Sequence, residues 1–86
     1  MRSMNTTALP PQTDVARALR MGRARVDITK AEMAQRLSRE IGRRVDPSLI
    51  GRYESGERTP KTDLMQAWAD VAGVALSRML SWGEDP

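Results

Sequence analysis

The sequence predicts an all-α protein, one compact domain of five short helices. Three observations lead there. The 86 residues are 40% hydrophobic but only 3% aromatic, with no Phe, so the core must come from Leu, Ile, Val, Met and Ala, a palette that favours helices over strands. Apolar residues recur at helical spacing in several short runs. Between those runs stand Ser/Thr/Asp capping residues, Gly and Pro, the punctuation of helix ends. The length suits one domain and one core.

Taken in order, residues 1–12 read as a flexible arm stiffened by Pro10-Pro11, with the domain over 13–82 and a tail at 83–86. Thr13 offers an N-cap and Asp14 a negative charge for a first helix over about Asp14–Arg25, whose inner stripe is Val15, Ala18, Leu19, Gly22 and Val26. Arg17, Arg20, Arg23 and Arg25 fall opposite and read as its wet face. "TKAE" predicts a capping box, Thr29 as cap and Glu32 reaching back, before a second helix with Met33, Ala34, Leu37 and Ile41 inward. Gly42 closes that helix.

Asp46 then caps a third helix, with Pro47 at the first position, where a missing N–H is harmless. Leu49, Ile50 and Tyr53 point inward, and Ser55-Gly56 ends it. Pro60 restarts the chain into a fourth helix, with Leu64, Met65, Trp68, Ala69 and Ala72 on its stripe and Gly73 at its end. A fifth runs from about Leu76 to Ser81 and stops at Trp82.

The composition restricts the chemistry. With no Cys and no His, disulfides, thiolate or imidazole metal sites and the usual Ser-His and Cys-His pairs are all absent; no catalytic residue, metal or cofactor is expected, and the chain does not read as an enzyme. No apolar run approaches the ~20 residues of a membrane span, and the N-terminus lacks a signal-peptide core, so a cytoplasmic protein is expected. The net charge is +3, but twelve of the fourteen basic residues are Arg. The planar fork of Arg matches phosphate and guanine. A GC-rich coding sequence would enrich Arg as well, so placement has to decide between these causes.

Placement does so through a resemblance. The pieces "VARALR", "ITKAEMAQRL", "SLIGRYESGERTP" and "WADVAGVALSRML" fall between Val15 and Leu80, with small Ala34 inside the second helix, Ile50 as an anchor, and Glu54-x-Gly56 followed by Pro60. Together they resemble the helix-turn-helix domain of lambdoid repressors, Cro proteins and xenobiotic-response-element regulators. The resemblance implies a lambda-repressor-like fold that lays its third helix in the major groove of double-stranded DNA. One departure is plain: Leu37 to Ile50 is longer than in relatives because "SREIGRR" is inserted. An extended second helix through Ile41 and a longer turn at Gly42-Arg43-Arg44 would absorb it.

On this resemblance Pro47, Ser48 and Arg52 face the bases. Arg52 is the strongest candidate because Arg to guanine O6/N7 is the commonest specific contact; the competing role is an ion pair with Asp46, Glu54 or Glu57. Ser48 can pair with any base or phosphate, and Pro47 offers only van der Waals contact. Lys30, Arg43, Arg44, Gly51, Ser55, Arg58 and Thr59 are the expected DNA-backbone contacts, with a solvated turn as the alternative for Arg43 and Arg44. A Gly inside a helix costs about 0.5–1 kcal/mol relative to Ala, so Gly51 needs a reason: close approach of DNA, or close packing of another helix.

Glu54, a carboxylate that phosphate would repel, is expected to pair with an Arg of the first or fourth helix. Arg2 in the arm could enter a minor groove. Trp68 belongs to the core. Met79, Leu80 and Trp82 could form an apolar patch joining two subunits, the alternative for Trp82 being the first helix. The expected protein is a Cro-like or small repressor, of phage or bacterial origin and associated with the nucleoid, binding a two-fold-related operator as a homodimer. The rival is an antitoxin-like module that holds a partner protein and represses its own operon. Single-stranded RNA binding would need more exposed aromatics than one Tyr and two Trp.

Overall fold

The computed structural model describes residues 11–84 and the side chains from Asp14 onward. Five helices follow one another: α1 (Pro11–Val26), α2 (Lys30–Ile41), α3 (Pro47–Ser55), α4 (Thr62–Ala72) and α5 (Leu76–Glu84). The all-α reading holds. The arm through residue 10, with Arg2, and the last two residues lie outside the described residues. At Pro11 and Gln12 the arm reading gives way, since α1 begins there, two residues before the expected Thr13 cap.

The helix ends follow local chemistry. Thr29 caps α2, its hydroxyl accepting from the Glu32 N–H at 3.0 Å. Only half of the expected capping box forms, because the Glu32 carboxylate turns to Arg36 one helical turn on, at 2.9 Å. Asp46 caps α3 by accepting from the Ser48 N–H, and Pro47 occupies the first turn. Gly42 (φ 74°) and Gly56 (φ 85°) end α2 and α3 in the left-handed region, where a side chain would be strained. Asp27 also lies there (φ 54°); Asp tolerates the conformation better than most, and its N–H meets the Arg23 and Ala24 carbonyls at the end of α1.

α1 packs on α3, α4 and α5; α2 packs on α3 and α4; α4 meets α5. The fully buried side chains at the centre are Leu19, Met33, Leu37, Ile50, Trp68 and Met79. Trp68 sits among them with its Nε1 donating to the Leu19 carbonyl at 2.9 Å and the Tyr53 ring edge-on to it, centroids 6.4 Å apart. Gly22 lets α1 close on this centre: a Cβ there would lie 2.9 Å from Met79 Sδ and 3.3 Å from Trp68 Cδ1.

Two expectations for the end of the chain change. α5 runs three residues past Ser81 to Glu84, and Gly83 is buried against α1, where an added Cβ would lie 1.9 Å from the Asp14 carbonyl oxygen. Met79 is wholly buried, so it belongs to the core and not to a subunit contact. Leu80 and Trp82 are partly buried and stand two residues apart on one helix, which turns them to different sides, so the three do not form one patch.

The longer connection before α3 takes the form expected: α2 extends through Ile41, and residues 42–46 make the turn. A single serine holds it. The Ser38 hydroxyl donates to the Ala34 carbonyl at 2.7 Å and accepts the Val45 N–H at 2.8 Å, while the Val45 side chain is buried in the core. One side chain therefore ties the last turn of α2 to the residue before the α3 cap.

Candidate nucleic-acid interface

α3 turns Ile50 and Tyr53 into the core and leaves Pro47, Ser48, Arg52 and Ser55 exposed, with Leu49 and Gly51 half-buried. This is the division expected of an amphipathic helix that buries one side and offers the other.

The inward side is fastened at both ends. Near the C-terminus Glu54 is buried, at 4% exposure the one buried charged residue among those described. Its carboxylate receives Arg23 Nε at 2.6 Å and Nη2 at 3.0 Å, and Arg20 Nη1 donates to its carbonyl. Arg23 Nη1 continues to the Ile28 carbonyl at 2.8 Å, ahead of α2. Glu54 thus pairs with an Arg of the first helix, as expected. The hydrogen bond to this carboxylate holds the Arg23 guanidinium above even its ordinary high pKa, against the opposing effect of burial.

The arginine face of α1 is wet only in part: Arg20 and Arg25 are exposed and Arg17 and Arg23 half-buried, and three of the four also hold neighbouring helices. Arg20 and Arg23 hold α3, and Arg25 Nε donates to the Ala72 carbonyl of α4 at 3.1 Å. The spacing of three between Arg20 and Arg23, on a helix facing a carboxylate already expected to be structural, was the available signal.

On the outward side, Arg52, Lys30 and Arg58 are exposed, and none takes part in the four ion pairs among the described residues. The competing role for Arg52 does not form there: Asp46 lies beside Arg44, Glu54 is taken by Arg23, and Glu57 enters no ion pair among the described residues. Lys30, at the start of α2, hangs over the middle of α3: a Cβ built on Gly51 would meet only its Nζ, at 3.8 Å. No other helix presses on Gly51, which removes packing as the reason for a Gly there.

Other expected contacts have work within the fold. Arg43 donates to Asp63 of α4 at 3.1 Å, and Arg44 lies 3.6 Å from Asp46, both on exposed surface. The Ser55 hydroxyl donates to the Arg52 carbonyl at 3.0 Å and receives the Glu57 N–H at 3.3 Å, so its proton is not available to a phosphate. The Arg58 N–H also goes to the Arg52 carbonyl, at 3.2 Å. Those two loop amides are therefore spent, leaving the exposed side chains of Arg58 and Thr59 as what the loop can offer.

At the front edge, Ser48 donates its hydroxyl to Asp46 Oδ1 at 2.9 Å, alongside its own N–H at the same distance. The two bonds from Ser48, backbone first, hold the Asp46 carboxyl below the usual carboxylate range, with a smaller contribution from Arg44. Asp63 is lowered too, chiefly by its hydrogen bond from Arg43.

Neither a group of His, Cys, Asp and Glu able to hold a metal nor a helix long and apolar enough to cross a membrane occurs among the described residues. A family model described as a helix-turn-helix domain matches residues 14–81, which takes in all of this outward side and both of its fastenings. Comparison with curated proteins gives no match. Comparison with solved structures gives none either.

Proposed function

The chain belongs to the helix-turn-helix domain family, and from that premise we propose that it is a sequence-specific binder of double-stranded DNA with α3 in the major groove. The observation that carries the reading is the pairing pattern. Arg23 is committed to the buried Glu54 and the exposed Arg20 reaches the Glu54 carbonyl, while Lys30, Arg52 and Arg58, grouped around the outward side of α3, take part in no ion pair among the described residues. Arg52 is assigned to guanine. Lys30 and Arg58 are assigned to phosphates, with Thr59 beside them and Arg43 and Arg44 lending charge from the turn. Pro47 and Ser48 meet the base edges ahead of Arg52.

The protein acts, in this reading, as a small Cro-like repressor that occludes promoter DNA as a dimer, its two α3 helices about 34–36 Å apart. Met21, exposed at 41%, and the half-buried Trp82 line one open hollow together with Arg25, and its apolar part supports self-association. Selection of bound duplexes from a random library tests the whole reading. A two-fold-symmetric motif is expected, and Arg52→Ala should relax preference at one base pair per half-site. Lys30→Ala or Arg58→Ala should weaken all sequences alike and reduce the slope of log K against log salt by about 1. Salt-independent binding, or a motif indifferent to Arg52→Ala, overturns it.

A further inference from the structure

We infer that Ser48 reads an exocyclic amino group, adenine N6 or cytosine N4, because Asp46 has fixed its hydroxyl as a hydrogen-bond acceptor; this rests on α3 lying in the major groove. A free Ser hydroxyl donates and accepts, and so carries little base information. Here its proton is committed. Oδ1 of Asp46, 2.9 Å away, is a carboxylate oxygen that can only accept, so the bond has one possible direction. That bond is also charge-assisted, so the hydroxyl would give up a strong partner to donate elsewhere.

What Ser48 Oγ still has free is lone-pair capacity, on an exposed side chain in the first turn of α3. Of Asp46, Oδ1 takes both the Ser48 N–H and hydroxyl, and Oδ2 lies 3.6 Å from the cationic Arg44. Asp46 precedes α3 as its cap, so the acceptor that the first turn of α3 itself carries is the serine oxygen.

Arg52 stands four residues on, on the same side of the helix and about 6 Å further along its axis, close to two base-pair steps of about 3.4 Å. It is donor-only, as Ser48 is acceptor-only. The two side chains thus ask for opposite partners: acceptors on a guanine for Arg52, and an amino group within about two base pairs of it for Ser48. In the major groove, amino groups and carbonyl oxygens occupy distinct positions across each base pair, so the demand sets which strand carries the amino base.

The test uses the full chain and a duplex selected by it. Within a half-site each adenine is replaced in turn by purine, which lacks the 6-amino group, and each cytosine by 2-pyrimidinone, which lacks the 4-amino group. One replacement near the Arg52-dependent guanine should weaken the wild type about two- to tenfold, the range of a single hydrogen bond, and leave Ser48→Ala unaffected. Asp46→Gly, which keeps a tolerable N-cap but frees the hydroxyl to rotate, should shrink that penalty. If the motif still responds to Arg52→Ala but no amino deletion depends on Ser48, the inference is overturned while the reading of α3 survives. If the motif responds to neither Arg52 nor Ser48, both fall together.

Discussion

Arg23 of α1 grips Glu54 of α3 through two parallel hydrogen bonds, 2.6 and 3.0 Å, and the carboxylate it holds is almost wholly out of solvent. A charge in that position is stabilised only while its partner is present, because desolvating an unpaired carboxylate or guanidinium is far more costly than the pair is favourable. The pair also locates the C-terminal turn of α3 against α1, whose other arginine, Arg20, takes the carbonyl of the same residue. An interaction that contributes little net energy can in this way fix where a helix lies.

Glu54→Ala should therefore destabilise the domain by about 2–4 kcal/mol, below the full value for a deeply buried pair because Arg23 keeps 23% side-chain exposure. Replacing both partners with apolar residues, Arg23→Met with Glu54→Leu, should recover most of that loss in urea denaturation. If α3 is positioned by the pair, the double variant regains stability while its DNA affinity remains reduced.

Ser38 provides the corresponding restraint at the front of α3. Ser38→Ala removes the side-chain acceptor of the Val45 N–H and leaves that amide, on a residue 6% exposed, to find water or go unpaired. A loss of about 1–2 kcal/mol in stability is expected. Because the turn sets the aim of the whole helix, affinity should fall for every duplex sequence, with the preference at the Arg52 position retained. Equal affinity of the Ala variant and the wild type would show that the turn holds its shape without Ser38.

The helices and most of the core were legible because their signals are local. Thr29, Asp46, Gly42, Gly56 and Gly73 mark ends by their own chemistry, and the apolar stripes of α2, α3 and α4 repeat at helical spacing. The same signals misled where tertiary contact decides. Nothing near Met79 or Gly83 in the sequence says that α1 lies against them, so α5 was expected to end at Ser81 and Met79 to face a partner. Arginine on α1 reads as solvated face until α3 places a carboxylate and a carbonyl opposite Arg20 and Arg23. On α3 the outward residues followed from burial of Ile50 and Tyr53. Which of them keep a free proton or charge depended on short contacts such as Asp46–Ser48 and Ser55–Arg52, whose formation the spacing leaves open.

Acid should loosen the α3 end of the molecule. Asp46 and Asp63 both have folded-state pKa values below the unfolded value of about 3.9, the first mainly through Ser48 and the second mainly through Arg43. A carboxyl lowered in this way binds a proton more readily when unfolded. Its stabilising contribution is thus complete above the unfolded pKa and is lost as pH falls through the folded one. The thermal midpoint should drop between about pH 5 and pH 2, and the drop should be shallower in Asp46→Asn, which still caps α3 without titrating, and in Asp63→Asn. Parallel profiles for wild type and both variants would assign the acid sensitivity to other carboxyls.

Two glycines should respond to alanine with opposite signs. At Gly83 a Cβ would lie 1.9 Å from the backbone oxygen of Asp14, so α5 must move off α1; a loss of about 1–3 kcal/mol is expected in Gly83→Ala. At Gly51 the nearest atom is the far end of Lys30, at 3.8 Å, an ordinary contact with a flexible side chain. Helix propensity then acts alone, and Gly51→Ala should stabilise the free protein by about 0.5–1 kcal/mol. With α3 in the major groove as proposed, the added methyl would stand on the outward side of α3, between the helix backbone and the bases. Affinity should fall even as the melting temperature of the free protein rises, a combination that loss of folding cannot produce. Gly51→Ala with higher melting temperature and undiminished affinity would show that the DNA does not approach this part of α3 closely.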